Sequence, residues 1–274
     1  MTNDSQYDGY KVVAKLLNTK PLMQALKAIS LEENCTFQIT SEGIKVTVEY
    51  SKFLQANLFV NSQCFEEFKV PEDEVITFSV NLNVTAECLG IFSGLACEMK
   101  MLYKGKGSPL VFLMAHNGDC EFTTECSIKT KNYEDPSEYE LVEDCPKYNV
   151  IILHGQYFYE LVLEFDKSAE EVELNISPTE PHFKITTIGV MQSESDFVIA
   201  KSSDMIVRFN CQSETSARYK YSHIRMFQKA LALSSKVAIK TDASGLLELH
   251  FMMKTEKDDS EMYIQYFITP LVDC

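Results

Sequence analysis

The sequence predicts an α+β fold built as two copies of one plan, each placing two helices on one face of an antiparallel sheet. Three observations lead there. Apolar and polar residues alternate with period two in stretches separated by glycine-bearing turns, which is the pattern of hairpins. Short amphipathic stretches at helical spacing interrupt them, but they do not separate successive strands as the crossovers of a parallel sheet would. After an acidic, proline-containing segment at 129–147, the order of strand, helix, strands, helix, strands begins again. This is a duplication of pattern rather than of identity. The expected domains are therefore 1–128 and 148–274, joined by a connector at 129–147.

The clearest element is the strand pair at 34–50. Cys35, Phe37 and Ile39 alternate with polar residues, as do Ile44, Val46 and Val48, and Ser41-Glu42-Gly43 is expected as a three-residue loop with a left-handed glycine. Just before it, Leu22, Ala25, Leu26 and Ile29 share one helix face, with Thr19 as the expected cap and Pro21 in the first turn. A second helix is expected over 82–93, where Val84, Cys88 and Ile91 share one face and Leu89 and Phe92 broaden it. Strands are expected around 99–103, 110–114 and 120–128, with turns at Gly105-Lys106-Gly107 and Asn117-Gly118.

The connector is longer than the usual link of about 4 to 6 residues, which marks a domain boundary or a functional loop. In the second half a strand at 148–154 precedes a helix at 156–166 on Phe158, Leu161, Val162 and Phe165, and strands follow at 171–177 and 182–188. A helix at 222–234 buries Ile224, Phe227 and Leu231, and strands at 236–241, 246–254 and 261–268 finish the copy.

Composition narrows the function. At 274 residues, with 45% hydrophobic and 24% charged residues, the chain is in the ordinary globular range. No run of about 18 apolar residues offers a membrane span, and the start has no signal-peptide plan, so an intracellular protein without membrane attachment is expected. Nine cysteines, an odd number with no Cys-x-x-Cys pair, read as reduced thiols, with Cys35, Cys88 and Cys97 in the core. A net charge of -15 excludes a protein that grips nucleic acid over its whole surface, since phosphate neutralisation needs an excess of Lys and Arg. Any role on DNA must be local or topological.

Candidate chemistry is sparse. His116, Cys120 and Cys126 lack the tight pairs of a structural zinc site, so no metal and no cofactor is expected. Gly105-Lys106-Gly107-Ser108 lacks the upstream glycine of a phosphate-binding loop and joins two strands rather than opening a helix. The acidic clusters Glu170-Glu171-Glu173 and Asp258-Asp259-Glu261 lie at element edges, where carboxylates are ordinarily solvated, so a metal-dependent exonuclease is the weaker reading. No catalytic residue is assigned.

The stretches GIKVTVEYSKFLQANLFV with CFEEFKV, ISPTEPHFKITTIG, and RYKYSHIRMFQKALALSSKVAIKTDASGLLELHFMM carry a resemblance. They are similar to the Rad-one family of the DNA-damage checkpoint clamp, and the duplicated plan resembles the sliding-clamp fold of proliferating cell nuclear antigen. The resemblance implies a nuclear, non-enzymatic subunit of a heterotrimeric ring with two other checkpoint-clamp subunits. A clamp loader would place the ring around double-stranded DNA, where it would serve as a platform for repair and checkpoint factors.

Carried over position by position, the resemblance puts Lys20, Lys27, Arg225 and Lys229 toward DNA, as phosphate contacts without base readout. Glu87, Gly90, Glu160 and Glu164 stand where clamps commonly place basic residues, so the inner face of this subunit is only partly basic. Subunit contacts are expected at the strands holding Phe122 and Thr124, and Phe197, Val198 and Ile199. A pocket for peptide motifs of partners is expected from Ile39, Ile44, Val46, Leu141, Val142, Leu246, Phe267 and Pro270. A homotrimeric replication clamp stays open as the nearest alternative.

Overall fold

The computed structural model describes residues 7–92, 97–116, 122–253 and 262–271. By contact density these divide into two units. The first holds residues 7–48, 57–136 and Met262; the second holds 49–56, 137–253 and 263–271. The connector is thus shared, its part up to Pro136 counted with the first unit and the rest with the second.

Chain order in the first half is β1 (Val12–Leu16), α1 (Lys20–Ala28), β2 (Asn34–Thr40), β3 (Gly43–Tyr50), β4 (Leu54–Asn61), β5 (Glu67–Lys69), β6 (Ile76–Asn81), α2 (Leu82–Leu89), β7 (Glu98–Tyr103), β8 (Leu110–His116) and β9 (Phe122–Ile128). The second half runs β10 (Asn149–His154), α3 (Gly155–Leu163), β11 (Ala169–Ile176), β12 (Phe183–Gly189), β13 (Glu194–Ile199), β14 (Ile206–Asn210), β15 (Thr215–Lys220), α4 (Tyr221–Met226), α5 (Gln228–Leu233), β16 (Ser234–Thr241), β17 (Leu247–Met253) and β18 (Met262–Ile268).

The duplication extends to strand pairing. In the first half the strands run β5-β1-β7-β8-β9 and β6-β2-β3-β4; in the second the corresponding runs are β14-β10-β16-β17-β18 and β15-β11-β12-β13. β1 pairs antiparallel with β7, and β10 antiparallel with β16. Each core forms where the apolar faces of these runs meet the helices: Leu26, Phe37, Leu58 and Phe112 are buried in the first unit, and Ile151, Phe183, Phe251 and Tyr266 in the second.

Several expectations change in detail. Thr40 pairs directly with Gly43, so the first hairpin has a two-residue loop, Ser41-Glu42, and Gly43 opens β3 at φ +151°. Glycine is required there because a Cβ would stand 2.2 Å from the Val60 carbonyl oxygen. Gly43→Ala should therefore cost about 2 to 3 kcal/mol, from overpacking and a disfavoured φ together. A urea midpoint equal to that of the wild type would contradict this close approach.

Thr19 occupies the cap position of α1 but its side chain makes no capping hydrogen bond; the Lys20 N–H instead donates to Asn18 Oδ1 at 3.0 Å. On α2 the buried face is Leu82, Thr85, Ala86 and Leu89, whereas Val84 and Ile91 are 43% and 52% exposed. Asn81 caps this helix by accepting from the Val84 N–H at 3.0 Å, and the helix packs against α1 and the strands β2, β6 and β9. The helix expected at 222–234 is two, broken at Phe227 (φ −84°, ψ −4°), so the described residues of the second unit hold three α-helices instead of two. The Asn117-Gly118 turn lies outside the described residues.

β1 and β4 escape a period-two reading because both their faces are covered. In β4 the polar Gln55 and Asn57 are only 4% and 1% exposed. Their amides are satisfied inside: Thr47 Oγ1 donates to Asn57 Oδ1 at 2.8 Å and Gln55 Nε2 to the Ser137 carbonyl at 2.8 Å.

Candidate DNA-facing helices, edge strands and connector

On α1 the residues Leu22, Met23, Ala25, Leu26 and Ala28 are buried, which leaves Lys20 and Lys27 exposed on the other side of the helix. Lys27 lies in the last turn, where the partial negative charge of the helix end favours a cation. In the second unit Arg225 on α4 and Lys229 on α5 are both exposed, and the Arg225 guanidinium sits 6.0 Å from the Tyr221 ring centre. Phe227 anchors the break between the two helices: its ring is 5.6 Å from that of Phe251 and 6.4 Å from that of Tyr266. Acidic positions are exposed too, with Glu87 on α2, Glu160 on α3, where it accepts from Gln156 Nε2 at 3.2 Å, and Glu164 at the end of α3.

The strands expected to meet other subunits both end their sheets, as β5, β6, β14 and β15 also do among the described residues. β9 is the last strand beyond β8, and β13 the last beyond β12. Phe122 is placed opposite His116 and Thr124 opposite Met114. On β13 the side chains divide: Val198 is 62% exposed, Ile199 is buried, and Phe197 packs on Phe165 with centroids 5.0 Å apart. Ile199 and Phe197 are therefore largely used inside their own unit.

The backbone of β13 divides similarly. The Gly189 N–H donates to the Ser193 carbonyl at 2.8 Å, and the register from there makes Thr187↔Ser195 and Ile185↔Phe197 the hydrogen-bonded pairs. The N–H groups of Asp196 and Val198 consequently point away from β12. Asp196 accepts from Thr186 at 2.7 Å and pairs with Lys184 at 3.0 Å, and these two contacts lower its pKa below the usual carboxylate value.

The connector is tied down along its second-unit part. The Ser137 N–H and Oγ–H donate to the two carboxylate oxygens of Glu49 at 2.9 and 2.8 Å. Tyr139 donates its hydroxyl to the Lys52 carbonyl at 2.7 Å and stacks on Phe267 at 5.7 Å and 21°. Further on, Leu141 is buried, and the Val142 N–H donates to Asp242 Oδ2 at 3.0 Å while its side chain stays exposed. Glu49 and Gln55 are anchors that no local pattern announces, because Glu49 lies 88 residues from Ser137.

This placement corrects the expected pocket. Ile39, Ile44 and Val46 are 0%, 5% and 0% exposed and belong to the core of the first unit, as their strand alternation also explains. Leu246 and Pro270 are half-buried in the second unit, and Phe267 is buried beneath the Tyr139 ring.

The other chemistry of the sequence is structural where it is described. Glu171 and Glu173 pair with Arg218 at 3.9 and 3.1 Å, and Asp258-Asp259-Glu261 lies outside the described residues. Gly105 and Gly107 turn the chain from β7 to β8 at φ +129° and +85°. Cys35 and Cys97 are buried, and burial pushes the Cys35 thiol up to about 12. Cys88 is only half-buried; burial, then its hydrogen bond with the Cys126 thiol, push it up to about 11. Among the described residues no group of three His, Cys, Asp or Glu is arranged to hold a metal ion.

Residues 11–253 match the profile of the family described as "Repair protein Rad1/Rec1/Rad17". The chain belongs to the Rad1 family. This Rad1-family chain is 40% identical over 269 residues to the DNA repair protein Rad1 of Drosophila melanogaster, covering 98% of this chain and 97% of that one. It is 37% identical over 268 residues to the cell cycle checkpoint protein RAD1 of Homo sapiens, covering 96% and 93% of the two chains. Its fold is similar to that of the proliferating cellular nuclear antigen of Entamoeba histolytica, with a TM-score of 0.76 at 16% identity over 96% of this chain and 100% of that chain. The Rad1-family chain therefore has the sliding-clamp fold and is a component of the DNA-damage checkpoint. Family and fold are generally non-catalytic ones.

Proposed function

We propose that the chain is one subunit of a closed ring made with two other checkpoint-clamp subunits, and that it does no chemistry of its own. A clamp loader places the ring around double-stranded DNA in the nucleus, and the ring then receives peptide motifs of repair and checkpoint factors. The observation that carries this reading is that the two strands expected at subunit contacts, β9 and β13, are both terminal in their sheets, one in each half. An open edge has unpaired backbone donors and acceptors that a neighbouring strand can satisfy, and two edges per subunit allow head-to-tail closure.

Their charge favours different partners over copies of this chain. β9 has Glu125 and β13 has Glu194, neither strand has a Lys or Arg, and Asp196 is already paired with Lys184, so the two edges of identical chains offer each other no opposite charge. The mixture of Lys20, Lys27, Arg225 and Lys229 with Glu87, Glu160 and Glu164 fits a ring in which other subunits supply much of the positive field.

The test is the mass of the intact complex co-purified from cells, together with a Val198→Pro variant. Proline at 198 removes an outward-pointing N–H while sparing the ladder to β12, and should weaken one partner contact about tenfold or more, leaving the other intact. Equal capture of both partners by variant and wild type would reject β13 as an interface. A purified chain that trimerises by itself would favour the homotrimer.

A further inference from the structure

The most specific anchor of the connector is also its most modifiable residue. Ser137 uses its N–H, its hydroxyl and its carbonyl in three hydrogen bonds, two to Glu49 and one from Gln55. Yet its segment, residues 132–142, belongs to no helix or strand, and Ser137 itself is only half-buried. Carboxylates flank it on both sides: Glu134 and Asp135 before, Glu138 and Glu140 after. An irregular stretch of this composition matches what acid-directed protein kinases bind, an extended substrate whose acidic side chains meet basic subsites.

We propose that Ser137 is a phosphoacceptor for an acid-directed serine kinase, and that its phosphate detaches the connector from Glu49. In the transfer, the Ser137 oxygen bonds to the γ-phosphorus of ATP as the bond to the β-phosphate oxygen breaks. The hydroxyl proton passes to the base of the kinase, and ADP leaves. The product has a charge of about −1.5 to −2 at neutral pH and no longer has the hydroxyl proton that Glu49 accepts. Two anions then face each other where a donor met an acceptor at 2.8 Å. Residues 137–142 move off, and the Tyr139 ring leaves Phe267.

Five other serines have an acidic residue three positions on: Ser5, Ser30, Ser168, Ser177 and Ser193. Ser5 lies outside the described residues, the Ser30 hydroxyl donates to Asn83 Oδ1 at 2.6 Å, and Ser177 is buried and followed by a proline. Ser168 and Ser193 are held in tight backbone. Ser168 closes a turn on Asp166 with its N–H and hydroxyl at 2.8 Å, and Ser193 joins β12 to β13 through the Gly189 bond. Coupling runs in both directions, because the segment must leave Glu49 to enter a kinase cleft. Weakening the anchor should therefore speed the modification.

The experiment incubates the full chain with ATP and a purified serine kinase that selects an acidic residue three positions after the serine. Phosphate is mapped by mass spectrometry, and amide hydrogen exchange is measured before and after. The expected result is phosphate on Ser137, gained several-fold faster by Glu49→Ala and lost in Ser137→Ala. Exchange at the amides of 139–142 should rise on phosphorylation to the level of unmodified Glu49→Ala. If Ser137 stays unmodified in both the wild type and Glu49→Ala, the assignment of the acceptor is overturned. If it is modified while exchange at 139–142 is unchanged, detachment is overturned. Both outcomes are read on the chain by itself, so the proposal stands or falls separately from ring assembly.

Discussion

Phe251→Ala is expected to destabilise the chain by about 4 kcal/mol, the usual cost of emptying a fully buried aromatic site. Phe251 is 0% exposed, its ring is 5.6 Å from that of Phe227, and it meets the Tyr266 ring edge-on at 5.8 Å and 90°. Its neighbours come from the α4–α5 break and from β18, so collapse around the cavity is resisted by two elements. Against a total stability of about 5 to 15 kcal/mol, such a loss is a large fraction. Phe251→Leu retains most of the volume and should cost about 1 to 2 kcal/mol. Urea unfolding of both variants checks this, and a Phe251→Ala midpoint within error of the wild type would show that the ring cluster contributes little. Because Phe227 anchors the segment between Arg225 and Lys229, the alanine variant should also disturb those two side chains before global unfolding.

Reversing Lys20, Lys27, Arg225 and Lys229 to Glu should leave folding and ring assembly intact, since all four side chains are exposed. Retention of the assembled ring on end-blocked DNA should fall about tenfold at moderate salt. Each phosphate contact contributes about 0.9 to the slope of log affinity against log salt, so the slope should shrink by up to about 4. Loose contacts would contribute less. The fall should be similar on unrelated sequences, because phosphate contacts do not read bases. Wild-type retention by the reversed ring, at every salt concentration, would place these residues away from DNA.

Much of the fold is legible in the residues because local patterns and tertiary burial agree. The alternation in Cys35, Phe37 and Ile39 makes β2 readable, since one set of side chains is buried and the other is not. The spacing of Leu22, Ala25, Leu26 and Ile29 does the same for α1. Where both faces are covered the pattern vanishes: β1 reads as a plain apolar run, and β4 hides Gln55 and Asn57 inside a network that only distant partners explain. The inner face of α2 was misread for a related reason. Thr85 and Ala86 are weak hydrophobic signals, yet small side chains are what let a helix approach its neighbours closely.

The candidate surfaces divide along the same line. The exposure of Lys20, Lys27, Arg225 and Lys229 follows from helix periodicity, so the sequence by itself determined which cations are free to meet phosphate. It also determined the duplication, through the repeated order of elements, and the family, through stretches that match along most of the chain. Only the tertiary structure decided which strands lie at open edges, since edge position depends on pairing between segments remote in sequence. It alone decided that Ile39, Ile44 and Val46 are core, and that Ser137 and Tyr139 anchor the connector, the latter on Phe267 of β18. A hydrogen bond spanning 88 residues leaves no trace in a local period, because periodicity reports only on neighbours a few positions apart.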